Sequence, residues 1–196
     1  MSAQQHHSGF YDELFGPSEQ LPRRFYVVFK EIGGDKSGEI RVVINDEYQL
    51  GDIVNDNSYE SDYYRYHDVF HCTFATLLGW SPCARAMMKR KRKSVAAIDT
   101  IEDGARATIT EEAISMIIFN EAKRKKFFEG KSSVSKTTLR IVQEMTETFE
   151  VKDKSGKEWE SAILKSYEVF RALIKHGGGK ITFDMLQKKV DFSLLN

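Results

Sequence analysis

Apolar and polar residues alternate over RFYVVFK (24–30) and again over EIRVVIND (39–46), both rich in β-branched and aromatic residues. That period suits strands. IGGDKSG (32–38) between them carries turn chemistry, so the two runs read as an N-terminal β-hairpin. EYQLGDIVNDNSYESD (47–62) is polar and Asn/Asp-rich, a structured loop. From residue 63 the period changes. Bulky apolar groups at 66, 69, 70, 74, 77 and 78 predict a helix over 63–78, ended by Gly79. Ser81-Pro82 opens a second helix, Ser as N-cap and Pro at the first helical position, which runs into KRKRK (89–93). Asp99 with Glu102 makes a capping box for a long helix over roughly 100–127. Further helices are expected over 134–148 and 158–176, the last strongly amphipathic and broken by Gly177-Gly178-Gly179. KITFDM and KKVDF then read as short C-terminal strands. The fold class is α+β: a mainly α-helical core with an N-terminal β-hairpin and short terminal strands. Residues 1–20 read as a flexible arm, within which His6 and His7 receive no function, and 21–196 as a single domain.

Composition narrows the class. With 196 residues, 41% apolar and 12% aromatic, the chain can bury a real core. It carries 29 basic and 29 acidic residues, so no global charge advertises nucleic acid. The longest apolar stretches fall short of the ~20 residues that span a bilayer. The polar N-terminus lacks an apolar signal-peptide core, so a cytoplasmic protein is expected. Cys72 and Cys83 sit in apolar contexts, which favours buried thiols over a disulfide or metal pair.

The unusual polar residues lie in YRYHDVFHCTFATLLGW (64–80). On a helix, His67, Asp68 and His71 share one side, because positions three and four apart are neighbours. Burying an unpaired carboxylate costs several kcal/mol, so Asp68 requires a structural His or Arg partner, water, or a divalent metal. A satisfied polar knot is the bland reading. A second acidic group raises the functional one: Glu102 and Asp103, then Glu111 and Glu112, the latter pair followed at once by an apolar run. Helical proteins build metal sites by projecting carboxylates and histidines from facing helices. Arg106, between the acidic pairs, could neutralise one of them or hold a phosphate. Lys89, Arg90, Lys91, Arg92 and Lys93 read either as a solvated helix end or as cations for a polyphosphate.

The blocks NDNSYESDYYRYHDVFH (55–71), LGWSPCARAMMKRKRKS (78–94) and IDTIEDGARATITEEAISMIIF (98–119) resemble the MazG C-terminal domain family. This region lies downstream of MazG-type nucleotide pyrophosphohydrolase domains in bacterial and phage proteins. LPRRF (21–25) and KEWESAILKSYEVFRAL (157–173) resemble it too. MazG-type enzymes proper are all-α, hold Mg²⁺ on Glu-x-x-Glu and Glu-x-x-Asp helices, and cleave NTPs to NMP and pyrophosphate. Neither spacing occurs cleanly in this helical core. Carried over, the resemblance implies a metal on Asp68, His71, Glu111 and Glu112 and phosphates on residues 89–93; with the residues' own spacing, the expected site is Mg²⁺ or Mn²⁺ on Asp68, His71, Glu112 and His67, with Glu111 or Glu112 as the catalytic carboxylate. The His67-Asp68 dipeptide is also similar to HD-type phosphohydrolases, but these need further ligands, and the one later histidine, His176, falls in a glycine-rich loop.

Three functions follow as expectations. The first is metal-dependent hydrolysis of (d)NTP to monophosphate and pyrophosphate. The second is a non-catalytic nucleotide-binding or sensor module working beside a partner enzyme. The third is a structural dimerisation domain. All depend on the histidine-bearing and glutamate-bearing segments facing each other across a common pocket.

Overall fold

The computed structural model describes residues 9–32 and 38–195; His6, His7 and most of the expected hairpin turn lie outside them. The hairpin consists of β1 (Arg24–Ile32) and β2 (Glu39–Ile44), antiparallel with Val27 opposite Ile44. The 47–62 loop contributes a two-residue strand, β3 (Tyr48–Gln49), and a bridge from Val54 to Ile40. The terminal strands, β4 (Gly178–Asp184) and β5 (Lys189–Ser193), join the same sheet, in the order β3-β2-β1-β4-β5, every pairing antiparallel. β1 is thus central, and its alternation reads directly onto the sheet: Phe25, Val27 and Phe29 are buried while Arg24 and Lys30 are exposed. Phe25 stacks on Phe183 of β4, directly opposite, at 4.8 Å. Two glycines permit the entry to β4. A Cβ at Gly178 would meet the Phe29 carbonyl at 2.5 Å, and one at Gly179 the Phe192 ring at 2.3 Å.

Helices cover the buried face of the sheet. α1 (Asp68–Leu78) has Leu77 as its single residue that is not fully buried, so it is a central helix rather than a surface one. α6 (Gly156–His176) packs along it and along β4. It opens on a capping box of Ser155 and Glu158 and ends at Gly177, φ 63°. Phe70 and Phe74 of α1 meet Tyr167, Phe170 and Trp159 of α6 with ring centroids 4.8–5.5 Å apart. His176 is the last residue of α6 rather than a loop residue, and stacks on Phe192.

Between these come α2 (Pro82–Met87), α3 (Ala96–Ile101), α4 (Ala105–Arg124) and α5 (Lys136–Thr146). Three expected boundaries shift. The helix expected over 63–78 begins only at Asp68. Tyr63 is left-handed (φ 66°), and Tyr64–Tyr66 form a single 3-10 turn, held by Arg65 pairing with Asp56 and Glu31. α2 stops before the basic run because Lys89 is left-handed (φ 57°) and Arg90 N–H closes back on the Arg85 carbonyl. The long helix starts at Ala105. Asp99 does not cap it, because Glu102 and Asp103 turn their carboxylates to other segments.

Residues 9–20, expected to belong to a loose arm, pack against the body. Asp12 is buried, accepting from the Leu21 N–H, Arg23 and Arg85, and Glu19 accepts from Ser94.

Candidate functional site: a histidine–carboxylate cluster between α1 and α4

His67 occupies the N-cap position of α1, Asp68 its first residue, and His71 follows one turn later. The shared face inferred from spacing brings the two imidazole rings to 5.6 Å, edge to face. Glu111 and Glu112, in the second turn of α4, reach them from the other side. Successive residues on a helix point about 100° apart, and this divides the two glutamates into different roles.

Glu111 is fully buried and its carboxylate is spent. Oε1 accepts from His71 Nδ1 at 2.8 Å and from the Ser81 hydroxyl at 2.7 Å. Oε2 accepts from the Cys83 N–H at 2.8 Å, in the first turn of α2. A carboxylate there also meets the positive end of the helix dipole. The Ser81 hydroxyl accepts from Ala84 N–H, so it caps α2 while donating to Glu111. Sequence alone identified Ser81 as a cap but not as a link between α2 and α4.

Glu112 is half-buried and turns to the other ring nitrogen: its Oε1 lies 3.3 Å from His71 Nε2. That nitrogen is buried and makes no hydrogen bond among the described residues. His67 is prepared the same way. Its ring stacks on Tyr64 at 4.3 Å and 3°, and Nδ1 lies 3.0 Å from the Tyr64 carbonyl, which can only accept. Both histidines therefore present Nε2. Ligand atoms of His67, His71 and Glu112 all lie within 4.8 Å of one another. Asp68 Oδ1 sits 3.5 Å from His67 Nε2, on the flank of this group.

The electrostatics favour a neutral ring at His67 but a protonated one at His71, whose Nε2 must lose its proton before it can bind an ion. Burial lowers the pKa of His67 despite the neighbouring Asp68, which favours a neutral ring with a free Nε2 lone pair. Burial alone would lower His71 too, but the Glu111 carboxylate outweighs it and holds the imidazole well above its ordinary value. Burial pushes Glu112 up, yet the positive charge of the adjacent His71 ring brings it down to about 2. Burial raises Asp68. Tyr64, raised to about 12 by burial and by Glu112, stays a proton donor at neutral pH.

Two imidazoles and a carboxylate suit a borderline divalent ion such as Zn²⁺ best; Mn²⁺ is harder, and Mg²⁺ prefers oxygen ligands throughout. The orphaned Nε2 of His71 fits such an ion, and Glu111 supplies the carboxylate that commonly orients a metal-bound histidine. A second trio, His71, Cys83 and Glu111, is also close. It suits a metal less well: burial holds the Cys83 thiol protonated, up to about 12, and Glu111 already accepts three hydrogen bonds.

Other expected site residues lie elsewhere. The basic run does not form one phosphate cradle. Arg92 is buried in a bidentate grip on Asp103 (2.7 Å) and on Glu150 (2.8 Å), and Arg90 donates to the Pro17 carbonyl. Lys89 and Lys93 are exposed and Lys91 half-buried. Arg106 is exposed in the first turn of α4 and makes no ion pair among the described residues. Glu102 accepts from the Glu150 N–H. Asp103 belongs with Asp12, Arg85, Arg92 and Glu150 to a structural ion network. Two of its members, Asp12 and Glu150, lie so far away in sequence that their pairing left no local signal.

An α+β domain with a histidine–carboxylate centre between two helices is the class these features define. The chain belongs to the MazG C-terminal domain family, whose sequence profile matches residues 6–196. Membership associates it with MazG-type nucleotide pyrophosphohydrolases. No curated protein and no solved structure matched the chain. No helix of the described residues is long and apolar enough to cross a membrane.

Proposed function

We propose that this domain binds a divalent transition-metal ion on His67, His71 and Glu112 and uses it to hydrolyse a nucleoside triphosphate to the monophosphate and pyrophosphate. One observation carries the metal reading. Both histidines commit Nδ1 to an oxygen acceptor, and their remaining nitrogens converge on one half-buried carboxylate. The nucleotide reading draws support from the family association.

When bound, such an ion polarises a phosphoryl oxygen and acidifies water. The chain's own residues supply the rest. Glu111 fixes the plane and tautomer of His71. Glu112 is a ligand, and with Glu111 spent, Asp68 is the carboxylate placed to accept a proton from an attacking water. The Tyr64 phenol donates a hydrogen bond to substrate oxygen.

Incubation with each (d)NTP and Mn²⁺, Zn²⁺ or Mg²⁺ should release monophosphate, most with Mn²⁺ or Zn²⁺ and none after Asp68→Asn. Nucleotide binding without release in any metal would instead support an accessory, non-catalytic module. The engagement of Glu111, one of the two expected catalytic carboxylates, favours that second reading.

A further inference from the structure

We propose that the cavity beside the cluster is a nucleobase subsite, taking one planar nitrogen heterocycle whose attached phosphates extend to the metal ligands. This deepens the proposed function and rests on it.

The cavity holds about 230 Å³ and is lined by Tyr64, Met116, Phe119, Asn120, Asn57 and Lys123, among others. It adjoins the cluster through two shared elements. Tyr64 forms its wall and is the same ring that stacks on His67. Along α4, Glu112, Met116 and Asn120 are spaced four apart, so ligand carboxylate, thioether and amide form one row.

The lining fits a base better than a phosphate or a peptide. The Tyr64 ring, set edge-on to Phe119 at 5.1 Å, and the Met116 thioether offer apolar contact to a flat ring. Asn120 is exposed and its amide makes no hydrogen bond among the described residues, which leaves two donors and an acceptor for a heterocycle edge. The single cation, Lys123, is already paired with Asp62 at 2.8 Å, so the cavity has little net attraction for a free anion. Its volume is below the roughly 300–1,000 Å³ of a drug-sized ligand pocket. A single ring system fills it, and sugar and phosphates must lie outside.

The test compares non-hydrolysable α,β-methylene nucleoside triphosphates with inorganic tripolyphosphate, by calorimetry in Mn²⁺, on the full chain. The proposal expects at least tenfold tighter binding of one or more nucleotides than of tripolyphosphate. Asn120→Trp and, separately, Met116→Trp fill the cavity from exposed helix positions and should abolish that preference, with Mn²⁺ affinity within twofold and the circular dichroism spectrum retained. Equal affinity for nucleotide and tripolyphosphate in the wild type overturns the subsite but leaves the metal reading standing. A preference that survives both substitutions overturns it too. Failure of Mn²⁺ to bind at all overturns the metal reading and the subsite with it.

Discussion

Nδ1 of His71 meets Oε1 of Glu111 across 2.8 Å, joining two helices through residues forty positions apart, and both partners are fully buried. The pair fixes which ring nitrogen faces Glu112, and so determines whether the cluster can bind an ion.

Glu111→Gln keeps the side-chain shape but replaces one acceptor oxygen with an amide N–H₂. Metal affinity should fall about 10–100-fold, the usual effect of losing the carboxylate behind a metal-bound histidine. Glu111→Ala leaves a buried imidazole without its partner and should destabilise the fold by about 3–5 kcal/mol. Calorimetric titration and urea unfolding check the two effects separately.

Metal binding should release protons and strengthen with pH. Glu111 holds His71 above its ordinary pKa in the metal-free protein, and the ion must displace the proton on Nε2. The same shift gives the sign for stability. The contribution of His71 is fully present below the unfolded value of about 6.5 and is lost as pH rises through the raised folded value. Titration in two buffers of different ionisation enthalpy measures the protons released. His71→Gln should remove that release and the metal-free protein's alkaline loss of stability.

Asp12 gives the opposite sign. Burial raises it, but Arg23 and Arg85 outweigh burial, and its folded pKa lies below the ordinary value. Its stabilisation is present above about pH 3.9 and is lost as pH falls through the lowered folded value. Asp12→Asn should therefore cost most near neutrality and flatten the acid limb of the stability profile. Unchanged acid unfolding would show that ionisation of Asp12 contributes nothing to the fold.

The basic run should split by burial. Arg92→Ala breaks a buried network with Asp103 and Glu150 and should cost about 3–5 kcal/mol. Lys89→Ala and Lys93→Ala, at exposed positions, should stay within about 0.5 kcal/mol. Thermal unfolding of the three variants settles the order.

Much of the architecture was legible because it is local. Alternation around Phe25, Val27 and Phe29 located β1, and amphipathic spacing with the glycines at 177–179 bounded α6 to within two residues. What stayed hidden was long-range. Asp12 and Arg85 are 73 residues apart, and Arg92 and Glu150 58, so no window could show that the arm is pinned or that the basic run turns inward. The meeting of the histidines with Glu111 and Glu112 could be expected from apolar context. The division of labour between the two glutamates could not. It depends on the rotation of α4 about its axis, which is set by α2 packing against it through Ser81 and Cys83.

The most direct test of the metal site is an anomalous-difference map from crystals soaked in Mn²⁺ or Zn²⁺. One strong peak is expected about 2.0–2.2 Å from Nε2 of both His67 and His71 and from a Glu112 oxygen, absent in His71→Ala. A map with no peak there, or with the ion bound only at surface carboxylates, would contradict it.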